Sequence, residues 1–366
     1  MHEQEVADQL RFAGVDMVVS LPCDKNKGFT DLIHDRFDVV DVTREEDGVG
    51  ICAGAYLMGR RPVMSIQSSG IGNMLNAMMS LTACYRLPLV ILASWRGVDD
   101  ERIEAQKPFN TKIPELLGVY DIDCVELDSP DDIPLVGRVV DDAYARGRIS
   151  VVLIHPRMWG TSERTDTTYP SRERDVRVSV QKHVSDPAMT RLEAIGAMMG
   201  TVCDGDVVVS NIGVPSKEVF ASGDRPLNFY MLGSYTQATP IALGMALSCD
   251  RRVIVVDGDG SLLGSSIMPV LACVMPSNLT ILCVDNGTFG STGNQINPAY
   301  SKIDIGAVAE SFGIRVDTVY TPEEVADAVS SGGPRMVQAM IVPGNSKSRN
   351  IKLSAVEIRD RFMEAL

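Results

Sequence analysis

Nowhere in the 366 residues is there an uninterrupted apolar run of the ~18 residues that a membrane-spanning helix needs. The opening decapeptide MHEQEVADQL is charged and lacks the apolar core of a secretory leader. Both absences predict a cytoplasmic protein with no membrane partner. Positive charge is also scarce: 34 Lys and Arg face 48 Asp and Glu, a net charge of −14, which argues against nucleic acid or anionic lipid as the main partner. Histidine occurs four times, with no grouping that would ligate a metal. The eight cysteines include no CxxC pair and stand mostly in apolar segments, a pattern of buried reduced thiols and not of disulfides or a zinc site. Cys23, in a turn, is the exception.

The chain does have enough apolar residues, 45%, and enough length for two domains of ordinary size. Helix-like and strand-like segments alternate through the first half, as in DGVGICAGAYLMG followed by PVMSIQ, and NMLNAMMSLTACYR followed by LPLVILAS. Such alternation predicts a parallel sheet with helices on both faces, and strands as apolar as LPLVILAS suit a sheet buried on both sides. The pattern breaks from 157 to about 186 into a stretch rich in Thr, Ser and Arg, then resumes with DVVVS, NFYML, RRVIVVD, NLTILCVD, IRVDTVY and RMVQAMIV. The expected organisation is therefore α/β, two doubly wound parallel-sheet domains at 1–160 and 187–366 joined by a linker at 161–186. No repeat links the halves residue by residue.

One stretch of the second half raises a chemical question. VDGDGSLLGSS (256–266) reads as a strand, a tight turn and a helix start, a place where ligands bind in open α/β sheets. Its glycines could cradle a phosphate, as a dinucleotide fingerprint does, with Asp285 about one βα unit later. An aspartate between them, Asp259, would repel that phosphate unless a divalent cation intervenes. Asn286 and the backbone carbonyl of Thr288, after the next strand, supply further oxygens. On these residues alone a magnesium ligand and an ordinary Asp N-cap remain equally open.

Taken with its neighbours, this stretch resembles the thiamine diphosphate (ThDP) enzymes. Gly258-Asp259-Gly260, followed after twenty-five residues by Asn286, is similar to their diphosphate- and magnesium-binding signature, with Asp285-Asn286 where two asparagines are usual. NFYMLGSYTQATPIALGMAL (228–247) resembles the segment that meets the aminopyrimidine, with Tyr235 where Met, Leu or Ile usually bends the cofactor. REEDGVGICAGAYLMGRRPVMSIQSSGIGN (44–73) resembles their pyrimidine-binding domain. The resemblance implies ThDP and Mg2+ as cofactors and Glu46 as the catalytic glutamate at the ring nitrogen N1′, with Glu45 one place away as the alternative. It implies cofactor contacts from Gly213, Gly233, Ser234, Tyr235, Gly258, Asp259, Gly260, Ser261, Asn286 and Thr288, with the metal on Asp259, Asn286 and Thr288.

VVSLPCDKNKGF, SIQSSGIGN, ILASWRG and VDNGTFGSTGNQ are similar to the 2-oxoacid decarboxylases acting on sulfopyruvate and phosphonopyruvate, which lack the middle domain of larger relatives. The sulfopyruvate branch, with its α and β chains fused, is the better match. The resemblance then implies conversion of 3-sulfopyruvate to sulfoacetaldehyde and CO2, in coenzyme M biosynthesis. Phosphonopyruvate decarboxylation and a non-catalytic ThDP-binding paralogue are the alternatives. It also implies a homodimer or higher oligomer with active sites at subunit interfaces. A dianionic substrate needs donors, for which the candidates are Lys25, Lys27, Asn73, Arg96, Gln106 and Lys107, the last standing where phosphonopyruvate relatives often have His.

Overall fold

The computed structural model describes residues 2–160 and 186–366, and the chain divides into two compact units, Met1–Glu173 and Arg174–Leu366. The expected linker, 161–186, lies outside the described residues except for Asp186.

In the first unit β1 (Met17–Ser20), β2 (Asp38–Asp41), β3 (Pro62–Gln67), β4 (Leu89–Ser94), β5 (Asp123–Leu127) and β6 (Ile149–Ile154) form one parallel sheet ordered β2-β1-β3-β4-β6-β5. In the second, β7 (Val207–Ser210), β8 (Asn228–Tyr230), β9 (Val253–Gly258) and β10 (Leu279–Asp285) are followed by a small antiparallel hairpin of β11 (Thr288–Phe289) and β12 (Gln295–Ile296), then by β13 (Val316–Val319) and β14 (Arg335–Met340). Their parallel sheet is ordered β13-β14-β10-β9-β7-β8. With the hairpin set aside and the order taken from the β8 end, this is the permutation of the first sheet. The halves thus share one topology without a shared residue pattern.

The central strands form because their β-branched and aliphatic runs can be covered on both faces. All seven residues of β10 and all six of β4 and β6 are buried. The edge strands β2 and β5, DVVD and DCVEL, carry charge and stay partly exposed, so no apolar run announced them. The helix Glu45–Leu57 is rich in Gly and Ala and packs closely on the sheet: a Cβ at Gly48 would lie 2.6 Å from Met64 Cε. Both tryptophans are buried in the first unit, Trp159 stacked on Phe29 at 5.2 Å and Trp95 against His155 at 4.8 Å.

All eight cysteines are free, but their burial corrects the expectation. Cys84, Cys203 and Cys273 are exposed, while Cys23 is buried beneath its turn. An apolar helical segment still has an outward face, and composition does not say which residue takes it. Among the described residues no helix is long and apolar enough to cross a membrane.

One buried ion pair ties the second unit together. Arg191 Nε donates to Glu218 Oε2 at 2.7 Å and Nη2 donates to Asn345 Oδ1 at 2.9 Å, joining the helices Arg191–Met199 and Val214–Gly223 to the C-terminal segment. The Glu218 side chain is 1% exposed. Its replacement by alanine is expected to leave a buried unpaired guanidinium and cost about 3–5 kcal/mol, measured as a lower urea midpoint at unchanged m-value.

In both sheets the strand order reverses between the first and third strands, β1/β3 and β7/β9. At such a switch point consecutive crossovers leave to opposite faces and open a crevice at the carboxyl ends of the strands. These two crevices hold most of the candidate site residues.

Candidate active site

In the second unit the β7/β9 crevice is a cavity of ≈ 140 Å³ lined by Tyr235, Gly258, Asp259, Gly260, Ser261, Asn286 and Thr288 among others. A water molecule occupies about 30 Å³, so there is room for a group of several heavy atoms. Asp259 is the first residue of the short helix Asp259–Gly264 and Gly258 is its N-cap, so the Asp N-cap reading does not hold. The Asp259 carboxylate accepts from Asn297 Nδ2 at 2.7 Å and from the backbone N–H groups of Gly260 and Asn286. The ends of β9 and β10 are thereby locked side by side. Asn286 Oδ1 accepts from the Thr288 N–H at 2.9 Å. Between them Gly287 takes φ +63°, and a Cβ there would lie 2.5 Å from Tyr300 Cα. Only glycine lets the chain make this turn.

The electrostatics call for a cation. Asp257, Asp259 and Asp285 are all buried. Burial raises the carboxyls of Asp257 and Asp259 above the usual range, and burial together with the neighbouring Asp259 pushes Asp285 up to about 6. Among the described residues Arg191 is the one cation on the cavity wall, and Glu218 already neutralises it. A buried hydroxyl on the cavity wall faces the opposite need: among the described residues Thr288 Oγ1 has no hydrogen-bond partner. Oxygen ligands for a hard cation beside an idle donor for an oxyanion fit a magnesium diphosphate group. Among the described residues no cluster of three His, Cys, Asp or Glu could hold a metal; a site completed by diphosphate needs only one carboxylate.

Gly213 and Tyr235 complete this side. Gly213 lies at φ +82° with Ser291 Oγ 2.3 Å from where a Cβ would stand. Tyr235 stands between two left-handed residues, Ser234 (φ 67°) and Thr236 (φ 74°). Its hydroxyl donates to the Gly260 carbonyl at 2.5 Å, and its ring packs on Gly264. The phenol is thus satisfied by the very turn it covers. Of the expected contacts, Gly213, Gly233 and Ser234 do not line the cavity. Arg191, Asn211 and Asn297 had not been anticipated; the last arrives through the β11–β12 hairpin, which no spacing rule encodes.

In the first unit the β1/β3 crevice gathers a second polar cluster. Glu45 and Glu46 open the helix Glu45–Leu57 but point differently. Glu45 is buried, accepts from Asn73 Nδ2 at 3.0 Å through Oε2, and lies against Gly70 so closely that a Cβ there would be 2.5 Å from Oε1. Glu46 is less buried and accepts from Arg44 Nε at 3.1 Å. Gln67 Nε2 donates to Ser69 Oγ at 2.8 Å, and Ser69 Oγ donates to Gln106 Oε1 at 2.8 Å. Arg96 is buried, with Nε donating to Glu101 Oε2 at 2.7 Å and Nη1 to Asp24 Oδ1 at 2.6 Å. Of the other expected cations, Lys25 and Lys27 are exposed, and Lys107 pairs at 2.8 Å with the exposed Glu104.

The hydrogen bond from Arg96, opposed in part by burial, holds the Glu101 carboxyl down at about 2. A depressed folded-state pKa stabilises the fold above the unfolded-state value of about 4.3 and is lost as pH falls toward 2. The stability difference between wild type and Glu101→Gln is therefore expected to be constant above pH 5 and to shrink as pH drops from 4 to 2, measured by urea unfolding across that range.

Two doubly wound units of one topology, the second with buried carboxylates and an idle hydroxyl at its switch point, have the frame of an α/β enzyme. The chain belongs to the thiamine pyrophosphate enzyme family: residues 2–113 match its N-terminal TPP binding domain and residues 216–339 its C-terminal TPP binding domain. It is 38% identical over 377 aligned residues to sulfopyruvate decarboxylase of Methanosarcina acetivorans, covering 100% of this chain and 97% of that one. It is 32% identical to phosphonopyruvate decarboxylase of Streptomyces hygroscopicus, covering 96% and 90%. Its halves are each 40% identical to sulfopyruvate decarboxylase subunits of Methanococcus maripaludis. The β subunit matches over 49% of this chain and 98% of its own length, the α subunit over 33% and 73%. The fold is that of benzoylformate decarboxylase from Polynucleobacter necessarius (TM-score 0.72, 13% identity, 96% of this chain and 99% of that one).

Proposed function

We propose that the protein is a ThDP- and Mg2+-dependent decarboxylase converting 3-sulfopyruvate to sulfoacetaldehyde and CO2, acting as a homodimer or larger assembly with active sites at subunit interfaces. The observation that carries the substrate is the end-to-end likeness to a sulfopyruvate decarboxylase.

Asp259, the Asn286 amide oxygen and the Thr288 carbonyl would hold the metal. Backbone at Gly258 and Gly260, with the hydroxyl of Ser261, would take the diphosphate oxygens. When bound, ThDP supplies the electron sink that loss of CO2 from a 2-oxoacid requires. Tyr235 would press against its bend. A glutamate at the start of the helix Glu45–Leu57 would share a proton with the ring nitrogen. Resemblance position by position assigned Glu46, but burial, the close approach of Gly70 and the bond to Asn73 favour Glu45 for that role. Arg96 and Gln106 would meet the substrate; exposed Lys25 and Lys27 and the paired Lys107 are the weaker candidates.

Purified protein given ThDP, Mg2+ and 3-sulfopyruvate is expected to release CO2 and to turn over phosphonopyruvate more slowly. Faster turnover of phosphonopyruvate would transfer the assignment to that substrate. No turnover of either, with ThDP bound, would make the chain a non-catalytic paralogue.

A further inference from the structure

We propose that the Arg96 cluster docks the substrate's distal tetrahedral oxyanion and that Asp24 sets its charge preference, favouring a monoanionic sulfonate over a more highly charged phosphonate. This rests on the decarboxylase reading above and assigns its specificity to named side chains.

Arg96 is 3% exposed, and its guanidinium is held on two sides. Nε is fixed by Glu101, whose own side chain is 4% exposed, and Nη1 by Asp24 and by Gln67 Oε1 at 3.1 Å. Nη2 is buried and has no partner among the described residues. A charged donor kept idle inside a protein marks a place for an acceptor. The cluster is also adjacent to the glutamate that reads the cofactor: Gln67 and Gln106 both bond to Ser69, and the next residue, Gly70, packs on Glu45. All of it lies at the sheet's switch point, where the chains leaving β1, β3 and β4 converge.

A sulfonate or phosphonate offers three oxygens to such a guanidinium and its amide neighbours. The two differ in charge. One positive group, Arg96, faces two negative ones, Asp24 and Glu101, so the cluster already carries a net −1. A sulfonate brings one further charge; a phosphonate, like other phosphoryl groups, brings between one and two near neutrality. Glu101 is buried and spent on Arg96. Asp24, with its side chain 54% exposed at the solvent side, is the carboxylate an incoming anion meets. It discriminates by repulsion, and the cost grows with the charge of the newcomer.

The test is the isosteric, solvent-side variant Asp24→Asn. The ratio of kcat/KM for 3-sulfopyruvate to that for phosphonopyruvate is expected to fall roughly tenfold, chiefly through a better KM for phosphonopyruvate. In parallel, the unreactive 3-sulfopropionate and 3-phosphonopropionate are titrated calorimetrically into wild-type and variant holoenzyme. The phosphonate is expected to gain affinity in Asp24→Asn, and both are expected to lose at least tenfold in Arg96→Gln with ThDP affinity retained. A ratio within twofold of wild type, or equal shifts for both analogues, overturns the proposal while leaving the decarboxylase reading in place. A wild type that consumes neither oxoacid overturns the reading instead, and the analogue titrations still decide the docking site.

Discussion

Asp259→Asn is expected to weaken Mg2+-dependent binding of ThDP by roughly 100-fold or more and to abolish decarboxylation, without destabilising the cofactor-free protein. The two halves of that result have one cause. Burial raises the Asp259 carboxyl above its usual range, so ionised at neutral pH it opposes folding of the empty site. The charge helps only once a cation sits between it and a diphosphate. Calorimetric titration of ThDP at fixed Mg2+ reads the first half and urea unfolding without ligand reads the second. Unchanged ThDP affinity would remove Asp259 from the metal site. A large loss of apo stability would recast it as a structural partner of Asn297.

The second large effect is expected at Glu45. Glu45→Gln should lower turnover roughly 10²–10⁴-fold, the range for loss of a positioned proton-transfer group, while ThDP affinity stays within a few-fold. Glu46→Gln should leave turnover within about threefold, because a partly solvated pair such as Arg44–Glu46, with Arg44 exposed, contributes little. Steady-state CO2 release from the two variants, side by side, decides between adjacent residues that differ in where their carboxylates are held. The reverse pattern would return the role to Glu46.

That neighbouring pair marks where sequence reading ends. The glutamates share a helical turn and differ by about 100° around its axis, and only the packing of Gly70 and Asn73 tells which faces the crevice. The metal turn was easier to read. Its chemistry is local, because an aspartate between two glycines after an apolar strand is a contradiction that a cation resolves. All six strands of the second sheet were visible as apolar runs, whereas in the first sheet β2 and β5 were not, since charged edge strands lack the signal. Asn297 and Arg191 reach the site from a hairpin and from the start of a distant helix. Contacts made by tertiary folding alone leave no periodicity to read. The identical strand order of the two halves was equally hidden, because topology depends on crossovers and not on residue identity.

The placement of both tryptophans has a practical consequence. Trp95 and Trp159 are buried in the first sheet's unit, and the second unit has none. Indole emission excited at its red edge therefore watches one half of the molecule, whereas far-ultraviolet dichroism sums both. Superimposable melting curves from the two signals would mean the halves come apart in a single cooperative event, and separated curves would give each half its own melting point without cutting the chain.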